Sequence, residues 1–220
     1  MKPSTAFKVM IPMHTFLEEK ETERFQLTHD VVTQEDVQRM KLKDRFNNES
    51  EYEGFTEGTY VVLRDKTKKE IIMSDTWMEW KTNFDFLNQA KGDVIIAGLG
   101  IGMVLMALQD KESVTSITII EKEQDIIDMV STQLPLNKKV RIIHSDIFDY
   151  VTAEKFDTIY FDIWNNIGED NFPDMDDLHT AWKDNVSEHG WMSSWRYEDC
   201  YDPTYLWNRN KSKVRAFDDR

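Results

Sequence analysis

The stretch Asp93-Val-Ile-Ile-Ala-Gly-Leu-Gly-Ile-Gly102 constrains this chain more than any other. Val94–Ala97 run without a polar interruption, the pattern of a central parallel strand covered on both faces. They enter a turn with glycine at alternate positions, Gly98, Gly100 and Gly102. Glycine at the carboxyl end of a strand lets the backbone turn tightly and lets a ligand approach it closely. The amphipathic stretch Met103–Leu108 follows, and the next apolar run ends in Glu121. An acid about 20 residues past such a loop can accept hydrogen bonds from both hydroxyls of a ribose. The segment therefore predicts a nucleoside-binding βαβ unit.

The same pattern repeats downstream. Ser116–Ile120 ends at Glu121, Val140–His144 runs to Asp146, and Phe156–Phe161 ends at Asp162. Helical stretches are expected over Glu123–Gln133 and Met175–Val186, a short connector over Phe148–Ala153, and a fifth strand over Gly190–Trp195. Strands alternating with helices imply right-handed crossovers and a parallel sheet. The expected fold is thus α/β, a doubly wound, mostly parallel Rossmann-like sheet. Ligands of such sheets bind beyond the carboxyl ends of the strands, near the switch point, so three strand-end carboxylates converge on one crevice.

A dinucleotide fingerprint, G-x-G-x-x-G/A, is not met, because its third small position is Met103. The spacing G-x-G-x-G instead resembles motif I of the class I S-adenosylmethionine-dependent methyltransferases, and the resemblance covers roughly residues 74–195. It implies S-adenosyl-L-methionine as cofactor, with Gly98, Gly100 and Gly102 around its methionine part and Glu121 on its ribose. It further implies Asp146 on the adenine amino group, Ile147 as an apolar wall beside it, and Asp162 facing the acceptor as positioning acid or general base. Each acid has an alternative role as a helix N-cap, which strand-to-helix junctions favour. Trp164, two residues past Asp162, would wall the pocket, and Trp77, Trp80 and Trp195 could complete an aromatic enclosure able to attract a cation, although each tryptophan taken alone reads first as an ordinary core residue.

The layout before the glycine loop is similar to that of the spermidine-synthase-like branch, where a small β-element and a helix also precede it and an Asp after the fourth strand deprotonates the attacking amine. This chain departs from that branch in two places. Trp80 and Lys81 stand where the branch carries a Tyr-His pair, and Ile163-Trp-Asn-Asn166 replaces a small Ser- and Pro-containing loop. Aminopropyl transfer, cleavage of S-adenosylmethionine and a catalytically silent interaction protein therefore stay open beside methyl transfer. The resemblance also implies a seven-stranded sheet, but about 25 residues follow Trp195. Val214–Phe217 could add one edge strand at most, and the shortened end leaves an edge that a second copy of the chain could cover.

The net charge of −14 argues against a duplex nucleic-acid partner, which demands a basic face. Lys66–Lys69, Lys138–Arg141 and Arg209–Arg215 are only modest basic groups; the last could touch a phosphate backbone but reads first as a solvated terminus. A small or cationic acceptor is expected first and a protein side chain second. The single cysteine, Cys200, excludes an intramolecular disulfide and fits a reducing, cytoplasmic setting. No apolar run approaches the ~20 residues of a membrane span, and the first residues lack the apolar core of a signal peptide. No metal is expected. His14 and His29 lack ligand spacing, and Asp174, Asp176 and Asp177 lack the glycine and terminal Glu of a calcium loop. His144 reads as a packed strand residue, and Ser193 and Ser194 lack a nucleophile-elbow frame.

Residues 1–73 read as an appendage to a 74–220 cofactor-binding domain. Thr33, Glu35 and Asp36 predict a capped helix to about Leu42, and Asn47–Gly58 a polar loop. Thr59–Arg64 and Glu70–Met73 predict a hairpin around Asp65-Lys66-Thr67-Lys68. Ser74 and Asp75 then offer N-caps to a helix running to about Ala90.

Overall fold

The computed structural model describes residues 10–47 and 56–206. The N-terminal part is a four-stranded antiparallel sheet in the order β1 (Lys20–Glu21), β2 (Phe25–Val32), β3 (Gly58–Asp65), β4 (Glu70–Ser74). Helix α1 (Gln34–Asn47) follows β2 and outruns its expected end. It opens with a box in which Thr33 Oγ1 donates to Asp36 at 2.6 Å and receives the Asp36 amide at 3.3 Å, satisfying a donor that the first turn leaves free. The predicted hairpin is β3–β4. Its turn is built on Asp65, whose carboxylate accepts from the Thr67 and Lys68 amides. Most of the polar stretch Asn47–Gly58 lies outside the described residues, as do Arg209–Arg215 and Val214–Phe217.

The expected helix from Ser74 to Ala90 is two short ones, α2 (Trp77–Thr82) and α3 (Phe84–Gln89), parted at Asn83. Asn83 breaks the run with its side chain claimed at both ends: Nδ2 donates to the Glu79 carbonyl one turn back, and Oδ1 accepts from the distant Tyr160 hydroxyl. Neither Ser74 nor Asp75 caps α2. The N-cap is Thr76, whose side chain bonds Ser74 Oγ and not the helix. Asp75, buried, instead accepts the Met13 amide at 3.0 Å and the Val61 amide at 2.7 Å.

The second sheet is fully parallel. Its strands are β5 (Gly92–Ala97), β6 (Val114–Glu121), β7 (Val140–His144), β8 (Phe156–Phe161) and β9 (Val186–Ser194), in the order β7-β6-β5-β8-β9. Helix α4 (Met103–Gln109) links β5 to β6. Past β6, the predicted helix is a short α5 (Gln124–Ile126) running into a π-helical turn, Ile127–Ser131. Phe148–Ala153 is non-helical, and α6 (Phe172–Trp182) and α7 (Tyr197–Cys200) flank β9. This is the doubly wound Rossmann-like arrangement.

Alternation along the strands explains the two layers. Val94 and Ile96 of β5 face one core cluster, with Leu105 and Leu108 of α4; Ile95 and Ala97 face another, with Leu178 and Trp182 of α6. A period of two sends successive side chains to opposite faces, and both faces are covered as a parallel sheet requires. The first cluster continues into Phe25, Leu27, Val61 and Leu63 of the antiparallel sheet, so residues before Ser74 share the core of those after it. His144 is exposed, with its ring bonded to the Lys122 carbonyl, and is not the packed residue its strand position suggested; β7 is an edge of the sheet.

Candidate functional site

Four backbone bonds lock the first residues beyond the strands into one row. The Gly98 amide donates to Ile120 O, Asp162 to Ala97 O, Ser145 to Glu121 O and Trp195 to Phe161 O, all at 2.8–2.9 Å. Just past this row, at the switch point between β5 and its neighbours, lies a cavity of about 510 Å³, within the span of about 300–1,000 Å³ usual for small-ligand sites.

The glycine loop forms its floor. Gly98, Gly100 and Gly102 all have positive φ, at 99°, 52° and 74°, a region side chains rarely adopt. A Cβ at Gly98 would also stand 2.2 Å from the Asp162 carbonyl oxygen, so only glycine lets the ends of β5 and β8 approach this closely. Gly98 and Gly100 line the cavity; Gly102 does not, and serves as the left-handed N-cap of α4 packed against Leu134.

Glu121 sits under that loop, 6% exposed. Its Oε2 accepts the Leu99 amide and its Oε1 the Glu123 amide, each at 2.8 Å. Burial pushes its carboxyl up despite those donors. Each oxygen keeps a second lone pair for a ligand hydroxyl. Asp146 and Ile147 line the cavity beyond β7. Burial raises the Asp146 carboxyl, but Lys122 Nζ at 2.6 Å and the Phe148 amide outweigh it and hold the group below its ordinary value. Arg24 and Lys68 come to the same wall from the antiparallel sheet, Arg24 bridging Asp65 and Glu123 at 2.8 and 2.7 Å. Gly98 and Gly100 along the cavity, a buried acid with spare acceptor capacity and an apolar wall together fit an adenosyl group. No geometry here conflicts with one.

At the other end stand Asp162, Trp164 and Trp195. Burial first, and the charge of Glu79 second, push the Asp162 carboxyl up to about 8. Trp195 is fixed by an indole N–H donated to Thr82 Oγ1 at 3.0 Å. Trp77 and Trp80 do not join the expected enclosure. Trp80 is a core residue, and Trp77 packs edge-on against Phe84 at 5.4 Å; neither lines the cavity.

Glu79, to which the sequence reading gave no role, does line it, and burial raises its carboxyl to about 7. The signal available was an acid between two tryptophans, Trp77 and Trp80, that share a helix face at i, i+3; burying that face turns Glu79 toward the cavity. Neither Glu79 nor Asp162 has an ion-pair partner among the described residues.

No protein-family model and no curated protein matches this sequence. Solved structures do. The DhpI–SAH complex is 18% identical, covering 52% of this chain and 54% of that one, with a TM-score of 0.42. An S-adenosylmethionine-dependent methyltransferase from Clostridium acetobutylicum is 19% identical over 49% of this chain and 44% of that one, TM-score 0.37. Spermidine synthase from Thermotoga maritima is 16% identical over 81% of this chain and 55% of that one, TM-score 0.48. The chain spans about half the length of these structures. The fold assignment rests on the strand order itself.

Proposed function

We propose that this chain is an S-adenosylmethionine-dependent methyltransferase acting on a small or cationic acceptor. One observation carries the reading: Gly98, Gly100, Glu121, Asp146, Ile147 and Asp162, each given a role from its sequence position, line a single cavity at the carboxyl ends of β5–β8. Gly98 and Gly100, which line the cavity, would hold the methionine part, Glu121 would take the ribose hydroxyls, and Asp146 with Ile147 would take the adenine. When bound, S-adenosylmethionine supplies a methyl group already activated by a sulfonium. The chain then has to orient the acceptor and exclude water, and orientation carries much of the rate. Trp164 and Trp195 wall the acceptor end, and Asp162 takes the proton that the acceptor nitrogen or oxygen loses as it gains the methyl carbon. An acid raised to about 8 is close to the proton affinity a base needs near neutral pH.

The test is calorimetric titration with S-adenosylmethionine and S-adenosylhomocysteine, with Glu121→Ala alongside. Micromolar binding, weakened at least tenfold (~1.4 kcal/mol) by the substitution, is the expected result. No heat with either ligand sinks the proposal.

A further inference from the structure

We infer that Glu79 and Asp162 together form a subsite for a protonated amine carried on an apolar body, and that this is the acceptor class of the transfer proposed above, on which the inference rests. The two carboxyls come from different elements, Glu79 from α2 and Asp162 from the turn after β8, and line the same cavity. They lie close enough for the charge of Glu79 to act on Asp162, and no cation of the chain pairs with either among the described residues. Two partly desolvated acids without a counter-charge are unfavourable when ionised. A ligand that brings the missing positive charge relieves both at once. An ammonium has three donors and no acceptor, enough to serve two carboxylates; before transfer it gives one of those protons to Asp162, which frees the nitrogen lone pair that attacks the methyl carbon.

Glu79 is held as a binding residue would be. Its carbonyl accepts from Thr82 Oγ1 at 3.0 Å and from Asn83 Nδ2 at 3.1 Å. Thr82 Oγ1 in turn accepts the Trp195 indole, and Asn83 Oδ1 accepts the Tyr160 hydroxyl. The first turn of α2 is thereby tied to β8 and to the residue after β9, the elements that carry Asp162 and a cavity wall. Apart from Asn165, the residues that line the cavity around Asp162 and Glu79 are apolar: Trp164, Trp195, Ile163, Ile72 and Met73. Tryptophan faces attract cations, while aliphatic walls favour a hydrocarbon body over a polar chain. A metal ion is a poorer occupant, since no group of three or more His, Cys, Asp or Glu among the described residues is placed to hold one.

The probes are 2-phenylethylamine and its neutral isostere 2-phenylethanol, titrated into the full chain with and without saturating S-adenosylhomocysteine, following heat and tryptophan fluorescence. The amine should bind at least tenfold tighter than the alcohol. Glu79→Gln and Asp162→Asn should each remove at least tenfold of the amine's affinity, leave the alcohol's unchanged and leave S-adenosylhomocysteine binding intact. Glu79→Asp, which keeps the charge, should restore part of the loss. Equal affinity for amine and alcohol in the unsubstituted protein overturns the inference without reference to any variant. Amine affinity that survives Glu79→Gln also overturns it. Binding of S-adenosylhomocysteine with no binding of either probe sinks the amine subsite and leaves the methyltransferase reading standing. Amine binding without S-adenosylhomocysteine binding does the reverse.

Discussion

Gly98 and Gly100 should differ sharply in what an added methyl group costs, although they sit two residues apart in one loop. At Gly98 the φ of 99° lies outside the left-handed well, where a side chain costs about 1–3 kcal/mol. The new Cβ would also meet the Asp162 carbonyl oxygen at 2.2 Å. That obstacle is backbone, tied by the Asp162 amide to Ala97 O at 2.9 Å, so it cannot move without parting β5 from β8. Overpacking of that kind adds about 1–3 kcal/mol, giving ~4 kcal/mol together. At Gly100 the φ of 52° lies within the left-handed well, at ~1–2 kcal/mol for alanine. Its obstacle is the Met73 sulfur at 2.3 Å, the far end of a flexible side chain that can swing away. Gly98→Ala should therefore destabilise by ~2 kcal/mol more than Gly100→Ala. Equilibrium urea unfolding of both variants, by fluorescence and circular dichroism, measures the difference. If Gly98→Ala costs no more than Gly100→Ala, the close approach of the loop to the Asp162 carbonyl is not what glycine is there for, and the argument fails.

Asp75→Ala should cost ~2–4 kcal/mol in the same assay, because it strands the buried Met13 and Val61 amides at about 1–3 kcal/mol for each unsatisfied group; a loss under ~1 kcal/mol would mean that water or other acceptors serve them. The contribution of Glu79 and Asp162 to stability should fall as pH rises between about 4 and 8. Glu79 and Asp162 ionise at their ordinary values of 4.5 and 3.8 when unfolded but at about 7 and 8 when folded, so the unfolded state sheds these protons first and is favoured increasingly across that window. The Glu79→Gln, Asp162→Asn double variant should lose that contribution, so its stability in urea unfolding should gain on the unsubstituted protein's as pH rises from 4 to 8.5. Parallel pH profiles for the two proteins would refute the assignment.

The parts legible in the sequence were those fixed by local pattern. An uninterrupted apolar run leading into alternate glycines can hardly be anything but a buried parallel strand and its turn, and β5 with its loop lies where that pattern put it. Asp162 followed from the same logic, because the residue one step past a parallel strand is held at the crevice by the ladder of its neighbour, and Glu121 and Asp146 lie within two residues of the same row. What stayed hidden was decided between distant segments. Asn83 ends α2 because Tyr160, far along the chain, claims its side chain. Asp75, with every local credential of an N-cap, is spent on the backbone of Met13 and Val61. Trp77 and Trp80 looked like pocket walls because aromatic side chains suit both pockets and cores. Only the position of α2 against the core shows which face turns inward.

The hidden contacts have a common consequence. A pair of uncompensated acids in a cavity works against the folded state, and a short helix such as α2 has too few internal bonds to hold one of them in place. The chain offsets this by anchoring both ends of α2 to other elements: Asp75 fastens its approach to the antiparallel sheet, while Thr82 and Asn83 fasten its last turn to Trp195 and Tyr160. The N-terminal strands therefore contribute to the acceptor end of the cavity through the placement of Glu79, as well as through the wall they build with Arg24 and Lys68. On this argument the segment before Ser74 is part of the site, and weakening its attachment should disturb the Glu79 end before it disturbs the adenosyl end, which the glycine loop and Glu121 hold by bonds of their own.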